Sequence, residues 1–141
     1  APEQLGEIPE ASLDLTFVNS VLQYLRRADL DGLPATRRRL LKPGGQLLIA
    51  DVIPPNVGLL TDVAALLKLS AQNGFLIASC LGLVRIFFSD YRKARTALGL
   101  AHYSEAEMLA ILTAAGYDAR RRAQNFGHNP ARMAFIAVPR P

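Results

Sequence analysis

The sequence predicts an α/β domain: a sheet of about four strands, parallel at its start and closed by a terminal antiparallel hairpin, with helices on its faces. Three observations carry this expectation. Two apolar, β-rich segments, Leu13–Val18 and Gln46–Val52, flank a helical pattern, the order of a parallel crossover. A second helical pattern with an explicit start signal at Ser104 leads into a further strand. The chain then closes on two strand-like segments separated by Gly127-His128-Asn129-Pro130-Ala131-Arg132, the composition of a hairpin loop.

Leu13–Val18 is short and β-rich, and Gln46–Val52 has the nearly continuous apolar character of a strand covered on both faces; both read as central. Between them, Leu33–Leu41 carries the helical pattern with Pro34 near its first turn, and Lys42-Pro43-Gly44-Gly45 stops it. The region Val57–Phe88 is the most apolar, but Asp62, Lys68 and Arg85 interrupt it. Its longest uncharged stretch, Leu69–Val84, holds Ser70, Gln72 and Asn73 and falls short of a membrane span. One or two buried helices, or a helical lid over a greasy cavity, are expected there, with Gly74 and Gly82 as weak points. Ser104-Glu105-Ala106-Glu107 is a capping box; Met108, Leu109, Leu112 and Ala115 share the face behind it, and Gly116 ends the helix. Asp118–Phe126 reads as an exposed strand and Met133–Val138 as a buried one.

With 141 residues, half of them hydrophobic, the chain forms one domain whose core needs neither metal nor disulfide. Cys80 has no internal partner, and Ala1-Pro2-Glu3 lacks the basic and apolar regions of a signal peptide, so a reducing, cytoplasmic setting is expected. The net charge of +4 sits in Arg26-Arg27, Arg37-Arg38-Arg39 and Arg120-Arg121-Arg122. None of these runs interleaves with stacking aromatics, which argues against a nucleic-acid partner.

In open α/β sheets ligands bind beyond the carboxyl ends of the strands, which points to Asn19–Tyr24 and Asp51–Asn56. The plainer roles are that Asn19 and Ser20 cap the next helix and that Asp51 accepts backbone hydrogen bonds. His102, before the capped helix, and His128, in the hairpin loop, are the only histidines, hence the only side chains that ordinarily titrate near neutrality. Ordinary surface or capping roles are the default for each. Their spacing is not that of a metal pair, and no metal site is expected.

Three segments together resemble the second half of a class I S-adenosylmethionine-dependent methyltransferase. They are Leu13–Leu25, Arg39–Asp51 with its Leu-Lys-Pro-Gly-Gly turn into an apolar strand, and Tyr103–Glu107 with Ala114-Ala115-Gly116-Tyr117. The resemblance covers nearly the whole chain and implies a partial Rossmann-like sheet with S-adenosylmethionine as cofactor. It places Asn19 and Ser20 beside the methionine part of the cofactor, Val21 as a further cofactor contact where the loop borders the acceptor pocket, and Ala1 beside the adenine. Gln23 and Tyr24 then border the methyl acceptor, with Asp51 and Pro54 on the acceptor side and His102 and His128 as further acceptor candidates. No catalytic base is assigned. Methyl transfer is an in-line attack on a sulfonium carbon, for which positioning and exclusion of water supply much of the catalysis.

The sequence departs from that family in lacking the glycine-rich turn and the ribose-binding acid that precede these segments. Residues 1–141 therefore read as a single partial domain, inactive alone, in which 57–99 is a helical insertion shaping an acceptor pocket. Its Phe75, Leu76, Ile77, Leu81, Leu83, Val84, Phe87 and Phe88 suit a small apolar or amphipathic acceptor. The absent parallel neighbour of Leu13–Val18 leaves an open sheet edge, to be met by self-association or by the remaining half. The rival expectation is a noncatalytic interaction module that uses the same edge or the apolar insertion.

Overall fold

The structure, a computed structural model, describes residues 7–25, 27–88 and 100–140. Its elements run β1 (Leu13–Asn19), a single 3-10 turn (Leu22–Tyr24), α1 (Arg27–Leu40), β2 (Leu41–Val52), α2 (Leu59–Gln72), α3 (Leu76–Phe87), α4 (Glu105–Ala114), β3 (Tyr117–Arg121) and β4 (Met133–Pro139). The four strands form one sheet in the order β1-β2-β4-β3. β1 and β2 are parallel, and β4 is antiparallel to both β2 and β3. The mixed α/β class and the terminal antiparallel hairpin are thus as expected. β2 is central, whereas β1 lies at the edge of the described sheet.

α1 starts at Arg27, earlier than expected, and Pro34 lies inside it. The reason is packing: Leu30, Pro34 and Leu40 are all buried, so the apolar stripe extends a turn and more ahead of the proline and outweighs its missing N–H. The basic-proline-glycine stop falls where expected, but β2 already begins at Leu41. Leu13 pairs with Leu41 and Leu15 with Gln46, so Lys42–Gly45 loops out of the ladder as an irregularity. Gly44 takes a φ of +78°, and a Cβ on Gly45 would fall 3.0 Å from the Leu13 carbonyl oxygen. That close approach requires glycine.

The core lies on one face of the sheet. Val18, Leu47, Ile49, Phe135, Ala137 and Tyr117 pack with Leu30 of α1 and with Met108 and Leu112 of α4. Burying Tyr117 and Phe135 completely contributes about 1.5–3 kcal/mol each. α4 is anchored by the expected capping box: the Glu107 N–H donates to Ser104 Oγ at 3.2 Å and the Ser104 N–H to Glu107 Oε2 at 2.8 Å. The two helices therefore share a face instead of dividing between both. On the opposite face Leu15 and Phe17 stay 53% and 50% exposed, with Leu48 and Ile136 half-buried beside them.

Two corrections concern the second half of the chain. The expected strand Asp118–Phe126 ends in the ladder at Arg121, and residues 122–132 form a longer connection than the expected loop at 127–132. Tertiary contacts draw that stretch away: Phe126 packs edge-to-face on Phe17 with ring centroids 5.6 Å apart, and Arg122 stacks over the Phe126 ring. The apolar region does form two helices, broken at Gly74 (φ +77°) as expected, while Gly82 stays within α3. They are not the buried helices expected. α3 has no buried residue, because its described neighbours offer it little beyond α2. Residues 89–99 of the insertion lie outside the described residues.

Candidate functional site

The parallel pair brings the carboxyl ends of β1 and β2 side by side, and both ends turn through left-handed backbone. Ser20 has φ 55° and Asp51 φ 65°, a region that costs a non-glycine residue energy and that recurs at functional sites. The two residues meet: Ser20 Oγ donates to Asp51 Oδ2 at 2.7 Å. Ser20 therefore does not cap the following turn, whose N-terminal residue Val21 likewise makes no side-chain cap.

Asp51 is buried and held from three sides. Its N–H donates to Asn125 Oδ1 at 3.0 Å, Asn125 Nδ2 donates back to Asp51 Oδ1 at 3.2 Å, and Arg132 Nη1 donates to Oδ2 at 2.6 Å. Arg132 also reaches Asp62 of α2 with Nε at 3.0 Å and Nη2 at 2.6 Å, a two-point contact that fixes its plane. Burial works against the charged form of Arg132, but the hydrogen bonds it donates to Asp62 and the charges of Asp51 and Asp62 outweigh it, holding its pKa above the usual guanidinium value. Asn129, almost wholly buried, donates to Asp62 at 2.7 Å and accepts from the Ala131 N–H at 2.9 Å. A Cβ on Gly127 would sit 2.9 Å from Asp51 Oδ1, so this connection passes the carboxylate only as glycine. The network clamps the 122–132 connection and the first turns of α2 to the end of β2.

Against that clamp lies a cavity of about 630 Å³ between α2 and the connection. Ala64, Ala65 and Leu69 form its apolar side; Lys68, Gln124 and His128 are polar side chains on its wall. Asn125 and Gly127 line it as well, which ties it to Asp51.

The predicted site residues divide accordingly. Ser20 and Asp51 come together, and His128 lines the cavity that Asn125, the partner of Asp51, also lines. Asn19 and Val21 are exposed at the end of β1. Gln23 is buried, and its Oε1 has no hydrogen-bond partner among the described residues. Tyr24 is exposed, and Pro54 is half-buried, its carbonyl accepting from the Val57 N–H in a turn. His102 is exposed on a segment laid along the site: the Ala101 N–H donates to the Gln23 carbonyl and the Tyr103 N–H to that of Ile53. Ala1 lies outside the described residues. Sequence reasoning missed Arg132, Asp62, Asn125 and Asn129. Two left a signal: an arginine just before an almost wholly apolar strand, and an aspartate interrupting an apolar helix. Among the described residues no three His, Cys, Asp or Glu side chains gather as a metal site would need.

The fold resembles that of solved structures, methyltransferases among them. The chain is similar to a possible exported protein of Bordetella parapertussis, with 21% identity and a TM-score of 0.58 over 94% of this chain and 41% of that one. It is similar to human N-acetylserotonin methyltransferase in complex with SAM, with 16% identity and a TM-score of 0.51 over 91% of this chain and 30% of that one. Magnesium protoporphyrin IX methyltransferase of Synechocystis with bound SAH gives 14% identity and a TM-score of 0.53 over 96% and 48%. No protein-family model and no curated protein matches the sequence. At these identities the likeness is one of fold: the chain has the class I S-adenosylmethionine-dependent methyltransferase fold, consistent with its C-terminal portion. It spans less than half the length of each of these three structures.

Proposed function

We propose that this chain supplies the acceptor side, and one wall of the cofactor site, of an enzyme that moves a methyl group from S-adenosylmethionine to a small apolar or amphipathic acceptor. The observation that carries the reading is the meeting of Ser20 and Asp51 at the ends of the parallel strands, clamped against a cavity of ligand size. When bound, the cofactor supplies an electrophilic methyl group on a sulfonium. The residues present fit part of it: Asn19 and Val21 are exposed where its methionine portion would lie, and the left-handed turn at Ser20 carries the backbone past it. The glycine-rich turn and the ribose-binding acid come from outside this sequence, so residues 1–141 are inactive alone.

The chain's own residues position and enclose. Asp51 acts through Asn125 and Arg132, fixing the 122–132 connection as the far wall of the acceptor cavity. Gln23 Oε1 is a buried acceptor available to a donor on the ligand. α2 and α3, within the insertion 57–99, shape and cover the acceptor side, with Tyr24, Pro54 and His102 along its border. The lone Cys80 suits a cytoplasmic setting, and no described helix is long and apolar enough to cross a membrane.

Calorimetric titration with S-adenosylmethionine, on this chain and on a form extended at its amino end by the missing motifs, tests the reading. Binding in the extended form alone is expected; absence of binding in both defeats it. The second reading, an interaction module, is favoured by one observation: α3 and its flanks leave Ile77, Leu81, Phe87 and Phe88 between 59% and 82% exposed. We further propose that the bare sheet face and the edge of β1 are covered by self-association or by the remaining half of the enzyme.

A further inference from the structure

We infer that the cavity between α2 and the 122–132 connection takes an acceptor bearing an anionic group, a carboxylate or its equivalent, with Lys68 as the residue that selects it. The inference rests on the methyl-transfer reading for the word acceptor, and on the cavity alone for the anion. About 630 Å³ suits a molecule of one or two fused rings. Its apolar side, formed by Ala64, Ala65 and Leu69, is met by Lys68 one helical turn on from Ala64 and Ala65, so a ligand lying along α2 presents its end to the ammonium.

Among the described residues the charge on the wall has one sign: no Asp or Glu lines the cavity, and Lys68 has no ion-pair partner. The carboxylates of the adjoining clamp are already committed: Asp62 accepts from Arg132 and Asn129, and Asp51 from Arg132, Ser20 and Asn125. His128 and Gln124 face the same space and can donate to a second anionic oxygen. A neutral acceptor of equal size would leave the ammonium solvated by water and gain nothing from it.

The test is a matched pair, 2-naphthoate against 2-naphthamide, titrated into the chain at neutral pH and followed by amide chemical shifts. The carboxylate is expected to bind more tightly by up to about fivefold, the reach of one solvent-facing ion pair, with shifts at Ala64, Lys68, Leu69 and Asn125–His128. Lys68→Gln, at an exposed position, is expected to abolish the preference and Lys68→Arg to retain it. Equal affinities, no binding, a preference that survives Lys68→Gln, or shifts confined to Phe17, Arg120 and Arg122 on the bare sheet face would each overturn the inference. A carboxylate preference intact while neither the chain nor its extended form binds S-adenosylmethionine would instead defeat methyl transfer and leave the anion site standing.

Discussion

Arg132 is the residue on which the site depends most. Its guanidinium bridges the two carboxylates of the clamp, with side-chain exposures of 9% for Arg132, 10% for Asp51 and 14% for Asp62. Arg132→Met leaves like charges facing each other away from water and is expected to cost about 3–5 kcal/mol in urea denaturation. Asp51→Asn with Asp62→Asn in that background is expected to restore most of the loss, since asparagine tolerates the left-handed φ at 51. An unchanged midpoint in Arg132→Met would show that the cluster is solvated. Tyr117 offers a second measurement. Its hydroxyl donates to the Pro34 carbonyl at 2.9 Å, and burial, opposed by Arg38 and Arg37, pushes its pKa up to about 12 from 10.0. Because the folded state holds the proton more tightly, the contribution is fully present below pH 10 and is lost as the pH rises through 10 to 12. Tyr117→Phe is expected to flatten the stability profile in that window; a profile as steep as that of the native chain would contradict the assignment.

Among the elements, α4 is the one most completely written in local sequence. Its capping box forms as the Ser104–Glu107 spacing predicts, and Ser104→Ala is expected to lower stability by about 1 kcal/mol in thermal or urea unfolding. A loss below a few tenths would mean that packing of Met108 and Leu112 alone holds the helix. α1 and β3 show the opposite case. The start of α1 was not legible because Pro34 is a local stop signal, overruled by the burial of Leu30 on a sheet that local sequence cannot see. β3 stops short because Asn125 and Phe126 find partners at Asp51 and Phe17, more than seventy residues away along the chain.

Among the described residues the sheet is covered on one face: that face is sealed by α1 and α4, and the other keeps Leu15 and Phe17 half exposed beside an edge strand paired on one side only. An apolar face and an open strand edge are strong templates for association. Light scattering after gel filtration is therefore expected to give a mass above that of one chain, falling toward one chain in the double variant Leu15→Lys, Phe17→Lys. A monodisperse single chain with a native spectrum would sink the proposal.

Strand segments, the capped helix, the glycine stop at 42–45 and the two candidate site segments could be read from the sequence because each depends on periodicity, capping or turn chemistry within a few residues. Asn19 to Tyr24 and Asp51 to Asn56 follow from such a reading plus the rule that ligands sit at strand ends. Only the tertiary structure decided what Asp51 touches, that Arg132, Asp62 and Asn125 complete its surroundings, and that His128 faces a cavity while His102 stays outside. It also decided that α3 is exposed and that both packed helices lie on one face. The physical reason is the same in each case: a buried charge finds its partner, and an apolar face its cover, through contacts between segments far apart in sequence, which no local pattern encodes.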